Sequence, residues 1–433
     1  MTYKLELSQQ SLQKTAQLLI SGGDARLVLN ATGTNKYGCT PFPDDDILAF
    51  SSSTASPIST DDFLLANALR EQFEQADFST QIHTQEINRQ KSAWRELLEL
   101  ENDAGLIFSA SGTDLHQAVA KNFPNKTRII MVESSETGSG VFAALKIGND
   151  VEIFTVPLRE KNGVLRSLSE IDTDVIALTE TAILENQDVL LILVDQSKTG
   201  KIAPSPKCAI SLKQRYGEKF NVLVDACQFR LCKETLHAYL QQNFMIALTG
   251  SKFLAAPSFS AILILPQKNS LLFQEETVNF GLLLRMEIAL QNYRAFSSLS
   301  NTQIYAVISA FSAEILSFLE KSPYFLPLEK ANLARHGLTQ VSLWDSLPTI
   351  FPFFLLRKNA PLSIQETLEI YQQLPTQNPR CQLGQPVLCG EKNSALRLCL
   401  SAPLITKASQ NQQALQNCIQ NALQVLKTVE KLI

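Results

Sequence analysis

One lysine, Lys252, stands in a polar turn between two short apolar runs. The runs, residues 245–248 and 261–265, have the length and branched-residue content of buried strands, and the interval between them is rich in Ser, Gly and Pro. An amine carried on such a turn, between apolar walls and beside the hydroxyls of Thr249 and Ser251, is suited to Schiff-base chemistry with a carbonyl. The two hydroxyls could also hold a phosphate. A surface lysine in a hairpin loop is the alternative that this stretch alone leaves open.

A second constellation lies upstream, in residues 105–120. An apolar run, 106–108, leads into Ser-Ala-Ser-Gly-Thr-Asp and then into an apolar-periodic helix, so Ser111, Gly112 and Thr113 fall at a helix N-terminus. Free backbone N–H groups and the positive end of the helix dipole favour an anion there, and Gly112 permits close approach. Ser, Thr and Asp at such a place also serve simply as caps. His116 follows on the same helix, as a packing residue or as a group standing behind the site.

The elements that must position these residues alternate regularly. Strands are expected at 128–132, 151–156, 189–194 and 220–224, and helices at 140–147, 168–184 and 206–215. Such alternation makes a mainly parallel sheet with helices on both faces, and ligands bind such sheets outside the carboxyl ends of the strands. The polar residues after each strand are therefore the candidates: Glu133, Ser135, Glu136 and Thr137, then Asp195, Gln196, Ser197 and Lys198, then Asp225 and Gln228. Asp225 closes an apolar run, so its carboxylate requires a cationic partner.

At 433 residues, with 45% hydrophobic and 18% charged residues, the chain suits a globular protein of two or three domains. A net charge of −4 gives no reason to expect nucleic acid or an anionic membrane as partner. No apolar run reads as a bilayer span and the first ten residues lack the order of a signal peptide, so the expected compartment is the cytoplasm. Eight scattered cysteines without a C-x-x-C pair, and four histidines, argue against a disulfide framework or structural zinc. The expected division is an N-terminal helix and active-site loop over 1–75, a large domain over 76–298 and a small one over 299–433. Residues 30–59 read as a long Gly- and Pro-rich loop, in which Asn35 and Tyr37 could close over a substrate.

The order phosphate turn, Asp-x-x-Gln, Ser-Lys resembles the fold-type I family of pyridoxal-phosphate (PLP) enzymes, nearest the class V aminotransferase and cysteine desulfurase branch. The resemblance runs from about Leu106 to Leu400. It implies an α/β fold, a three-layer aspartate aminotransferase-like large domain with a mainly parallel sheet and a smaller α+β C-terminal domain. It implies PLP as cofactor, a small amino-acid-type substrate and a homodimer. Lys252 would carry the cofactor, Asp225 would pair with the pyridine nitrogen and Gln228 would donate to the ring hydroxyl. Ser111, Gly112, Thr113, Thr249 and Ser251 would hold the phosphate, and Arg397 the substrate carboxylate.

The departures fall where the reaction is decided. The family places an aromatic ring over the cofactor some 25 residues after the phosphate turn, whereas this chain reads Glu-Ser-Ser-Glu-Thr-Gly-Ser-Gly, leaving Glu136 or Thr137 to cover it. Ser197, in Gln-Ser-Lys-Thr-Gly, stands where contacts near the ring hydroxyl are made. Transamination is the expected reaction. Elimination or replacement, a desulfurase-like activity and a non-catalytic binding role stay open. Cys381 precedes Arg397 by the spacing of a desulfurase cysteine, but Pro-Arg-Cys-Gln-Leu-Gly reads as an ordinary strand edge.

Overall fold

The computed structural model describes residues 7–51, 56–124, 126–138, 140–146, 151–267, 277–330, 332–339 and 343–433. Its larger sheet is built on the strand Val189–Asp195, all of whose residues are buried. Residues alternate between two apolar layers. Leu191 and Leu193 pack in one with Val222, Val224, Ile246 and Ile264. Leu190 and Ile192 pack in the other with Leu223, Met245 and Leu263. Both faces being covered, these strands carry apolar runs where a half-exposed strand would alternate.

The order across this sheet is Gly105–Ser109, Ala261–Leu265, Met245–Thr249, Phe220–Asp225, Val189–Asp195, Arg128–Val132, Glu152–Val156, with Ile202–Ala203 beside the fifth strand. Ala261–Leu265 is antiparallel to both its neighbours, and the next four pairings along the sheet are parallel. Each strand expected of this sheet is present with its bounds shifted by two residues at most. The helix expected at 140–147 is Val141–Lys146, and residue 147 lies outside the described residues.

A second sheet orders Leu48–Phe50, Cys381–Cys389, Asn393–Cys399, Ile350–Arg357 and Phe325–Pro327, with Ala360–Pro361 on the fourth. Its first strand corrects the reading of residues 30–59 as loop throughout. Leu48–Phe50 pairs in parallel with the start of Cys381–Cys389, and Phe50 is buried against Phe311. Three residues set no period, and only the distant partner strand makes them one.

The helix Asn301–Lys321 is long and apolar enough by length and composition to cross a membrane, a test that the core helix of a globular protein also passes. Here Ile304, Ile308, Phe311, Ile315 and Leu319 line one buried face at helical spacing, so the helix spends its apolar side on the core.

Candidate active site

The carboxyl ends of the parallel strands open on one cavity, lined among others by Arg26, Tyr37, Ser111, His116, Lys198, Asp225, Gln228, Lys252 and Arg397. Lys252 reaches it from the turn between Met245–Thr249 and Ala261–Leu265. Two features make that turn tight. Gly250 donates to the Ser260 carbonyl at 2.7 Å, and a Cβ on Gly250 would stand 2.5 Å from Ala289 Cβ, so only glycine fits. Phe259 takes a left-handed conformation, φ 75°, an arrangement that persists only where the surroundings enforce it. Arg285 enforces it: fully buried, it donates to the carbonyls of Phe259 (2.8 Å), Leu19 (2.7 Å) and Ser21 (2.8 Å), tying the lysine turn to the end of the helix Gln9–Leu19.

The helix Gly112–Ala120 points its N-terminus at the same space. Ser111 is its cap, accepting from Asp114 N–H at 3.2 Å. A Cβ on Gly112 would lie 2.8 Å from Cys227 Sγ, so the turn is pressed against the strand end that carries Asp225. His116, one helical turn after Gly112, lies 2.6 Å through Nδ1 from the Gly112 carbonyl and 3.5 Å through Nε2 from Asp225 Oδ2. Burial pushes the Asp225 carboxyl up, but the charges of His116 and Lys252 and the Cys227 N–H outweigh it and hold the group below its ordinary value.

Arg397 enters from the second sheet. It faces Gly384 across the antiparallel pair with Cys381–Cys389, and a Cβ on Gly384 would come 3.2 Å from the guanidinium carbon. The register shifts just beyond, between Gly384 and Val387, and the irregularity presents the Gln385 carbonyl, which accepts from Arg397 Nε (3.1 Å) and Nη2 (2.8 Å).

The cavity therefore gathers Ser111, Gly112, Thr113, Asp225, Gln228, Thr249, Ser251, Lys252, Arg397 and Tyr37 of the residues expected from sequence, and leaves four outside. Glu136 is fully buried but turns away to Arg159 (3.1 Å), Ser197 Oγ (2.8 Å) and Thr199 Oγ1 (2.8 Å). An unpaired buried carboxylate is costly, and the Arg159 partner supplies the compensation. Ser197 is spent in that cluster, and Thr137 bonds the Glu133 carbonyl at 3.5 Å. Gly138, Gly140 and Val141 take their place on the wall. Asn35 accepts from the N–H groups of Tyr37 (2.9 Å) and Cys39 (3.2 Å), so it shapes the loop that presents Tyr37.

Sequence reasoning missed Arg26. It lies 3.4 Å from Ser111 Oγ, is paired with Asp24 at 2.7 Å and stacks over the Phe259 ring at 4.6 Å. No local pattern marks it, because its role comes from the fold laying residues 24–39 over the cavity. Lys198 also reaches the cavity, where Ser197 was the expected contact.

No family model matches the sequence, and no curated protein matches it. Solved structures do match the fold. The glutamate decarboxylase domain of a diaminobutyrate–pyruvate transaminase and L-2,4-diaminobutyrate decarboxylase from Vibrio parahaemolyticus superposes with a TM-score of 0.56 at 14% identity, covering 88% of this chain and 81% of the other. The cystine C-S lyase C-DES, in complex with cysteine persulfide, gives 0.56 at 14% identity over 87% and 97%. Oryza sativa TDC with PLP and tryptamine gives 0.51 at 12% identity over 81% and 77%. The chain has the fold of fold-type I PLP enzymes. Its strand order and the antiparallel strand Ala261–Leu265 beside the lysine turn are the features that place Lys252, Asp225 and the Ser111–Thr113 turn at one end of the sheet.

Proposed function

We propose that this protein is a PLP-dependent aminotransferase acting on an amino acid that bears a free carboxylate. The observation that carries the reading is that Lys252, Asp225, the N-terminus of Gly112–Ala120 and Arg397 face one cavity although they come from four separate segments. The cavity fits the cofactor on its own chemistry. Gln228 Oε1, Ser260 Oγ and His116 Nε2 are buried on its wall without a hydrogen bond, and Gly112 leaves a cradle that a side chain would fill.

When bound, PLP supplies an aldehyde for amine chemistry and a ring that withdraws electrons from the substrate's α-carbon. Ser111, Gly112, Thr113, Thr249 and Ser251 would hold its phosphate, with Arg26 as a cation 3.4 Å from the Ser111 hydroxyl. Asp225, kept anionic by its neighbours, would hold a proton on the ring nitrogen. Lys252 Nζ would hold the cofactor through its aldehyde carbon and would move the substrate's α-proton as general base. Arg397, which no carboxylate reaches among the described residues, binds the substrate carboxylate and orients the α-carbon. A homodimer is part of this reading and is open to sedimentation measurement.

The test is product analysis. Purified, PLP-loaded protein is incubated with single amino acids and followed by absorbance and mass spectrometry. A keto acid formed with the amino form of the cofactor is expected. Keto acid with ammonia, or amine with carbon dioxide, would replace transamination by elimination or decarboxylation, and failure to bind PLP would overturn the reading altogether.

A further inference from the structure

The cavity's lysine and arginine side chains are Arg26, Lys198, Lys252 and Arg397, joined by the imidazole of His116, and among the described residues its one carboxylate is Asp225. Arg26 has its own partner, Asp24, at 2.7 Å, and the charge of Lys252 acts on Asp225. Lys198 and Arg397 are left. Lys198 Nζ donates to the carbonyls of Ser134 (3.2 Å) and Ser135 (3.0 Å), and Arg397 to those of Gln385 and Lys198, so among the described residues every partner of either cation is neutral. Arg397 Nη1 stands 3.4 Å from the carbonyl of Lys198, which places the two residues at one corner of the cavity. Glu136, the acid whose field reaches both, is committed to Arg159.

Arg397 is buried and Lys198 partly so; cations so placed are costly without a counter-charge, and the backbone carbonyls supply dipoles only. One substrate carboxylate answers Arg397 and leaves the corner positive. We infer that Lys198 is a specificity-determining residue that receives a second anionic group of the substrate, so that the preferred amino donor is an acidic amino acid, its α-carboxylate on Arg397 and its side-chain carboxylate on Lys198. The inference rests on the proposed amino-acid site. The two carbonyl bonds occupy two of the three ammonium N–H donors and leave the third for such a ligand.

Calorimetric titration of the PLP-loaded protein with glutarate and with pentanoate tests it, because the two share a five-carbon chain and neither has an amino group to react. Glutarate is expected to bind about tenfold more tightly. Lys198→Met should abolish that preference while pentanoate, held by Arg397, binds within about twofold of wild type. Lys198→Arg should keep the preference. Equal affinities in the wild type, or a Lys198→Met protein that still prefers glutarate, would overturn the inference. If Lys198→Met does not fold, Lys198→Gln and the wild-type comparison decide. Cofactor content is read by absorbance in the same samples: protein that takes up no PLP refutes the proposed function, whereas loaded protein indifferent to glutarate refutes the role of Lys198 alone.

Discussion

His116 bridges the Ser111–Thr113 turn to Asp225, with Nδ1 2.6 Å from the Gly112 carbonyl and Nε2 3.5 Å from Asp225 Oδ2. The imidazole is fully buried, so a proton on Nε2 would act on the carboxylate with little screening by water. Asp225 lies below its ordinary value despite burial, and His116 is the first of the groups that hold it there. His116→Phe should therefore raise the Asp225 carboxyl. Each unit of rise is about 1.4 kcal/mol, or tenfold in the ionised fraction once the pH is below it. The absorbance of bound PLP followed against pH should show the ring-nitrogen proton kept to higher pH than in wild type, because removing a neighbouring positive charge favours the protonated form. An unchanged profile would remove His116 from this role. A carboxylate depressed on folding stabilises above its unfolded value and loses that contribution as pH falls through the folded one. The variant should accordingly unfold in acid at higher pH than wild type.

Gly384 keeps the space through which Arg397 runs. A methyl there would stand 3.1 Å from Arg397 Cβ and 3.2 Å from Nε, while the Gln385 carbonyl pins the guanidinium on its other side. Gly384→Ala should displace the guanidinium and weaken carboxylate binding by about 1 kcal/mol, with PLP content unchanged. Equal pentanoate affinity in variant and wild type would show that the strand absorbs the methyl group.

Arg26 Nη2 donates to the Ser111 hydroxyl at 3.4 Å. Arg26→Ala should weaken PLP retention by about 1.5–3 kcal/mol, the range for a hydrogen bond to a charged group, read by equilibrium dialysis of PLP. Exchange of free phosphate against PLP should become easier in the variant. Retention equal to wild type would assign Arg26 to holding residues 24–39 in place.

Cys381 opens a strand, is fully buried and donates to the Pro379 carbonyl at 3.1 Å, and burial raises its thiol above the ordinary value. A persulfide carrier must be an accessible thiolate. Cys381→Ala should leave any sulfide release from cysteine unchanged and cost about 1 kcal/mol of stability. Release that vanishes in the variant would establish a desulfurase.

Lys198 offers a pH test of its own. Burial, with Arg397 and Lys252 adding and Glu136 and Asp225 opposing, brings its ammonium down to about 8. Deprotonation removes the cation, so the preference for glutarate over pentanoate should be full near pH 6.5 and fade as pH rises through about 8. A preference constant to pH 9.5 would point to Arg397 as the sole cation involved.

The sequence by itself determined the sheet and the positions of its strand ends. Apolar runs of strand length alternating with helical periods specify buried parallel strands, and a polar residue after such a run must lie at a carboxyl end. Lys252, Asp225, Gln228 and the Ser111–Thr113 turn were legible for that reason, since each is fixed within a few residues of its own strand. Which of the remaining polar residues face the cavity was decided only by the tertiary structure. Glu136 and Ser197 follow strands as Asp225 does, yet Glu136 is drawn away by Arg159, 23 residues on, and takes Ser197, 61 residues on, into the same cluster. Arg26 and Tyr37 arrive from a segment with no period at all. A buried charge settles against whichever counter-charge the fold brings within reach, and that choice is made between segments far apart in the chain, where local spacing carries no information.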